Sequence, residues 1–167
     1  MIEVRVEDLA FYSGDAIIRP ATAMLGATTP LLRRLELAAG KRLLDQLALS
    51  EPLAVGSAVV TGAGELPVDL LVHAVVSSTT ERVSREGVRR ALRSALQRVL
   101  AWQIAELAIP PFGLGAGNLD IDESAHLMAE ELARHLSTAA FPTRVTLVAE
   151  TPDEAIALES AVARSTV

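Results

Sequence analysis

The second half of the chain alternates short apolar runs with stretches of helical period, and no other feature narrows the fold as much. Ser57 to Thr61 and Leu70 to Val76 are apolar and rich in β-branched residues, which reads as strands. Val88, Ala91, Leu92, Ala95, Leu96 and Val99 recur at helical spacing, so residues 83–101 are expected to form an amphipathic helix. A strand over 105–109, a helix marked by Ala125, Met128, Leu132 and Leu136, and a strand from Arg144 to Ala149 follow. Thr151-Pro152-Asp153-Glu154 then combines capping-box spacing, proline at the first helical position and acids in the first turn. This order predicts an α/β fold with helices on both faces of a largely parallel sheet.

The first half is consistent with the same plan. Ile2 to Val6 alternates apolar and polar residues, as a half-exposed strand does. Ser13-Gly14-Asp15 marks a turn, and Ala16-Ile17-Ile18 is a short apolar strand closed by Arg19-Pro20. Thr29 can cap a helix that begins at Pro30. Gly40 is expected to break that helix, with a second short one running through Leu43, Leu44 and Leu47. No repeat, low-complexity segment or linker divides the chain, so a single domain over residues 1–167 is expected.

Composition excludes several function classes. There is no cysteine, which removes disulfides, thiolate metal sites and a cysteine nucleophile and makes a cytoplasmic location the simplest expectation. No apolar run approaches the length that spans a bilayer, and the first residues read as a strand rather than a signal peptide. A net charge of −6 argues against broad attraction to nucleic acid. The cations are fourteen arginines and one lysine, with a single asparagine, Asn118. That bias fits a thermophile, and a GC-rich genome produces it equally well.

Pro110 to Asn118 carries the chemistry. Gly113, Gly115 and Gly117 stand at alternate positions between an apolar strand and a helix. Such a bend can turn backbone N–H groups outward and let a phosphate approach closely. An uninvolved strand-to-helix turn has the same residues. Asn118 stands where a dinucleotide fingerprint needs its third glycine, and no Gly-Lys-Ser/Thr follows, so neither common phosphate motif is present.

Six segments in order resemble a macro domain. They are Val6-Glu7-Asp8-Leu9, Asp15-Ala16-Ile17-Ile18, Ala38-Ala39-Gly40, Gly56 to Thr61 with Leu66-Pro67, Leu71-Val72-His73-Ala74, and Ala108-Ile109-Pro110 with Gly113-Leu114-Gly115. The resemblance implies a three-layer α/β/α sandwich with a mixed, mostly parallel six-stranded sheet and a cleft for ADP-ribose. It gives Asp8 a hydrogen bond from the adenine amino group and places Leu9 near the adenine. Gly113, Leu114, Gly115, Ala116, Gly117 and Asn118 would wrap the diphosphate with backbone amides. No cofactor or metal is implied, and the partner is ADP-ribose or a similar nucleotide.

The departures from the family fall on one half of that cleft. Arg19-Pro20-Ala21-Thr22 stands where the family has Asn-Ala-Ala-Asn, and Leu32 replaces an acid linked to hydrolysis. Leucine can neither position water nor transfer a proton. Pro30 removes a backbone donor, and Thr28 and Thr29 bring side chains into space the family leaves to the ligand. Arg19 could offer a fork to a phosphate or face solvent at a strand end; Thr22 lies beside the expected ribose. No catalytic residue is assigned. The main expectation is a binding module without efficient hydrolysis. A rewired hydrolase and a scaffold with a closed cleft are the alternatives.

Other candidates have plainer readings. His73 lies in an apolar run and reads as a satisfied core histidine. His126 and His135, nine residues apart, lack the one-turn spacing of helical zinc ligands. Asp120, Asp122 and Glu123 suit a helix start better than a metal. Arg82, Arg85, Arg89 and Arg93 form a stripe that could hold a polyanion, yet no aromatic residues are interleaved for stacking, and a solvated face is expected. Trp102 is expected to pack at a helix end.

Overall fold

The computed structural model describes residues 1–115 and 119–165. The elements, in chain order, begin with β1 (Ile2–Val6), a 3-10 turn (Leu9–Phe11), β2 (Gly14–Thr22), α1 (Pro30–Ala39) and α2 (Lys41–Ala48). They continue with β3 (Ala58–Gly62), β4 (Val68–Ser77), α3 (Arg85–Ala101), β5 (Glu106–Ile109), α4 (Ile121–Leu136), β6 (Arg144–Ala149) and α5 (Pro152–Ser165). The strands form one sheet in the order β1-β6-β5-β2-β4-β3. All neighbours run parallel except β3, which pairs with β4 antiparallel. The largely parallel sheet is the one the sequence pattern predicts, and its mixed, six-stranded, three-layer form is the one the resemblance implies.

Alternation along the strands divides the core in two. Ala16 and Ile18 of β2 and Val72, Ala74 and Val76 of β4 meet the apolar stripes of α3, α4 and α5. Ile17, Ala21, Leu71 and Val75 point to the other face and are covered by Leu31, Leu32, Leu35, Leu43 and Leu47 of α1 and α2. By the same parity, Arg19 and His73 belong to the α1 face.

Local signals act where they stand in the sequence. The Thr29 side chain accepts from the Leu32 N–H, Asp120 from the Glu123 N–H and Thr151 from the Glu154 N–H. Asp15 accepts from the amides of Ala105 and Glu106, at 3.0 and 2.9 Å, and so ties the starts of β2 and β5. The strand β2 outlasts its expected end at Arg19-Pro20 and runs to Thr22. It pairs with β5 only at Ala16 and Ile17, so Pro20 lies where β2 has a single partner and a missing N–H is tolerated.

Two surface expectations change. Trp102 caps α3 but is more than half exposed rather than packed. In the arginine stripe, Arg85 pairs with Glu123, Arg89 with Glu130 and Glu131, and Arg93 with Glu131, so the stripe joins α3 to α4. Glu131 is buried and accepts from Nε and one terminal nitrogen of Arg93 at 3.1 and 2.8 Å. Three of the four arginines are thereby engaged within the protein. Among the described residues no helix is long and apolar enough to cross a membrane.

Candidate functional site

The helix following β2 covers one face of the sheet, whereas the helix following the adjacent β5 covers the other. Their connections therefore part at the carboxyl edge and open a crevice, the place where parallel α/β sheets bind ligands. The parallel strands bring four chain segments to this edge: Asp8 after β1, Glu150 after β6, the glycine bend after β5 and the Thr22 loop after β2.

The bend is anchored from below. Phe112 is buried, its amide donates to the Met128 sulfur and its carbonyl accepts from the Ser124 hydroxyl. Gly113 and Gly115 have φ of 80° and 82°, the left-handed region that favours glycine. A Cβ on Gly113 would lie 2.5 Å from Leu119 Cδ1, and one on Gly115 would lie 3.0 Å from the Thr28 carbonyl oxygen and 3.2 Å from Thr29 Cγ2. The bend thus touches the loop before α1 across the crevice. Leu114 is partly buried and Gly115 exposed. Ala116, Gly117 and Asn118, expected to contribute to the same bend, lie outside the described residues.

Asp8 is exposed, and one carboxylate oxygen accepts from the Ala10 N–H at 3.0 Å, capping the 3-10 turn. Leu9 differs from the expectation. It is fully buried in the α1-side core and presents no surface to a ligand, so it anchors the turn instead. Phe11, which sequence reasoning missed, is 80% exposed. It ends the same short 3-10 turn that Asp8 caps. Nothing in the local pattern signals that exposure.

Arg19 also differs from the expectation, being neither a ligand fork nor a solvent-facing residue. It is 1% exposed, and its Nε donates to His73 Nδ1 at 2.8 Å. Its terminal nitrogens donate to Glu36 at 2.7 Å and to the Leu25 carbonyl at 2.6 Å. An arginine only donates, so His73 Nδ1 must be the acceptor and the neutral ring carries its proton on Nε2. That nitrogen meets the Thr61 hydroxyl at 2.8 Å, and Thr61 donates to the Gly62 carbonyl. The network clamps the loop after β2, where Leu25 has φ of 62°. Thr22 Oγ1 is turned into that loop and accepts from the Gly26 N–H at 3.0 Å. Beyond Thr22, the ends of β2 and β4 border an uncharged hollow of about 490 Å³ that Met24, Leu53 and Ser77 help to line.

Burial, and then the Arg19 cation, hold the His73 pKa well below its ordinary value of about 6.5. The unfolded chain therefore binds a proton below about pH 6.5 that the folded chain refuses, so stability falls as pH falls through that value. The expected slope from His73 is about 1.4 kcal/mol per pH unit until its folded pKa is reached. Urea midpoints at neutral and mildly acidic pH should separate in the wild type, with this component absent from His73→Gln. Equal slopes in both proteins would show that the ring titrates normally.

The sequence pattern of the family described as "Macro domain" matches residues 32–128, and the chain belongs to that family. A protein of Aquifex aeolicus is 32% identical over 124 residues, covering 72% of this chain and 73% of its own length. A Mycobacterium tuberculosis protein is 28% identical over 134 residues, covering 80% of this chain; the chain spans only 37% of that relative's length. Among solved structures, the Oceanobacillus iheyensis macrodomain with ADP superposes with a TM-score of 0.85 at 19% identity, covering 98% of this chain and 90% of the other. The Trypanosoma brucei macrodomain in complex with ADP-ribose also gives 0.85 at 19% identity, covering 96% of this chain and 68% of the other.

Proposed function

We propose that the protein binds ADP-ribose or a related nucleoside diphosphate and does not hydrolyse it efficiently. The observation that carries this reading is that the Asp8 carboxylate and the glycine bend share one edge of the sheet. They are two strand spacings apart, about 10 Å. A nucleotide laid along that edge has its base at Asp8, with Phe11 offering an apolar face to stack on, and its diphosphate at the bend. The terminal sugar then points toward Thr22 and the uncharged hollow. The structures with ADP and with ADP-ribose give the same ligand class in relatives of the same fold. Against hydrolysis stands Leu32, buried in the core where the family's acid would be.

Calorimetry with ADP and ADP-ribose tests the binding. Asp8→Ala is expected to weaken ADP by roughly 10- to 100-fold, the worth of one hydrogen bond to a charged group. Phe11→Ala is expected to cost about tenfold, in line with stacking on an aromatic ring. Phe11 is exposed, so its loss should leave the melting temperature in place, whereas Asp8→Ala also removes the cap on the Ala10 N–H and should cost about 1 kcal/mol of stability without unfolding the domain. Efficient release of ADP-ribose from a modified protein would overturn the non-hydrolytic half. The contact of Gly115 with Thr28 and Thr29 favours a second reading, a sealed crevice in a domain used for assembly. No heat with either nucleotide at millimolar concentration would select it.

A further inference from the structure

Between Asp8 and the glycine bend lies β6, the strand that separates β1 from β5. Glu150 follows it directly, and Arg34 reaches across from α1 to pair with Glu150. Both side chains are about half exposed, 52% and 42%, so the pair is of the weak, screened kind. Any ligand that spans from Asp8 to the bend must pass over it. A diphosphate there would offer Arg34 more negative charge than one carboxylate does, in a geometry that a guanidinium fork matches.

We propose that Arg34 is the cationic ligand of the diphosphate in this chain and that Glu150 holds it in place while the site is empty, giving it up when the nucleotide binds. This rests on the nucleotide reading above. It adds a side-chain charge to a site otherwise made of backbone amides and glycine, and it makes Glu150 a competitor of the ligand. Of the two adjacent exposed arginines of α1, Arg33 and Arg34, it is Arg34 that the fold brings to Glu150 at this edge.

The two residues predict effects of opposite sign. Arg34→Gln should weaken ADP at least tenfold and reduce the salt dependence of binding, while adenosine, which lacks phosphate, binds as before. Glu150→Gln should tighten ADP several-fold, and most of that gain should vanish in the Arg34→Gln background. Titration of all four proteins with ADP and adenosine at low and moderate salt gives every comparison. Equal ADP affinity in wild type and Arg34→Gln overturns the inference and leaves the nucleotide reading standing. So does a parallel loss for adenosine, or weaker ADP binding by Glu150→Gln. An undiminished gain from Glu150→Gln without Arg34 would reduce Glu150 to a simple repulsive charge and also overturn it. No ADP binding by the wild type removes the nucleotide reading and this inference together.

Discussion

Replacing Arg19 by alanine is expected to lower the unfolding free energy by about 4 kcal/mol, the scale found when one partner of a buried ion pair is deleted. The change strands Glu36, the His73 ring nitrogen and the Leu25 carbonyl, all of which Arg19 satisfies, and leaves a void in a packed layer. For a domain of this length the melting temperature should fall by roughly 10 °C. Lysine should recover less than half of the loss, because a point charge cannot serve three acceptors set around a planar fork. Urea unfolding of the three proteins measures the difference. A loss below about 1 kcal/mol would mean that the network is not what holds this layer. Arg19→Ala should also loosen the Leu25 loop, and through Thr28 the wall that meets Gly115. Stability and ligand affinity should therefore decline together.

Leu32→Asp is expected to be more damaging still. The substitution restores the residue type that the family links to hydrolysis, but Leu32 is 1% exposed within the α1-side core. Removing a buried leucine costs about 2–5 kcal/mol, and placing a carboxylate there without a partner adds several more. Ordinary domains hold roughly 5–15 kcal/mol in total, so Leu32→Asp should be largely unfolded or recovered in low yield. Leu32→Met, close in volume, should cost less than about 1.5 kcal/mol. Circular dichroism and thermal melts separate these outcomes. A folded Leu32→Asp that gains hydrolase activity would show that this helix position faces the crevice and that only the side chain was missing.

Both predictions concern residues whose role was hidden in the linear pattern. Arg19 ends an apolar triplet, a position that suits a solvent-facing charge. It is buried because β2 continues to Thr22 and because Glu36, His73 and Leu25 converge on it from α1, β4 and a loop. His73 shows the converse. Its apolar neighbours already mark a core histidine, and only its partners are new. Leu9 adjoins Asp8, and the resemblance places both at a ligand, yet the 3-10 turn sends one inward and the other out. The arginine stripe on α3 was legible as a stripe; its α4 carboxylates, 38 to 42 residues away, were not.

The sequence by itself determined the order and type of the strands and α-helices, the caps at Thr29 and Thr151, and the need for glycine after β5. These depend on neighbours within a few residues, where periodicity, capping and backbone freedom act. The tertiary structure decided which charges are buried against each other and which stay at the surface. Arg19 is consumed by the core, whereas Arg34 is held at the rim by one exposed carboxylate. Chain order does not encode that difference, because a charge's partners are fixed only when distant strands and helices are brought within hydrogen-bond reach.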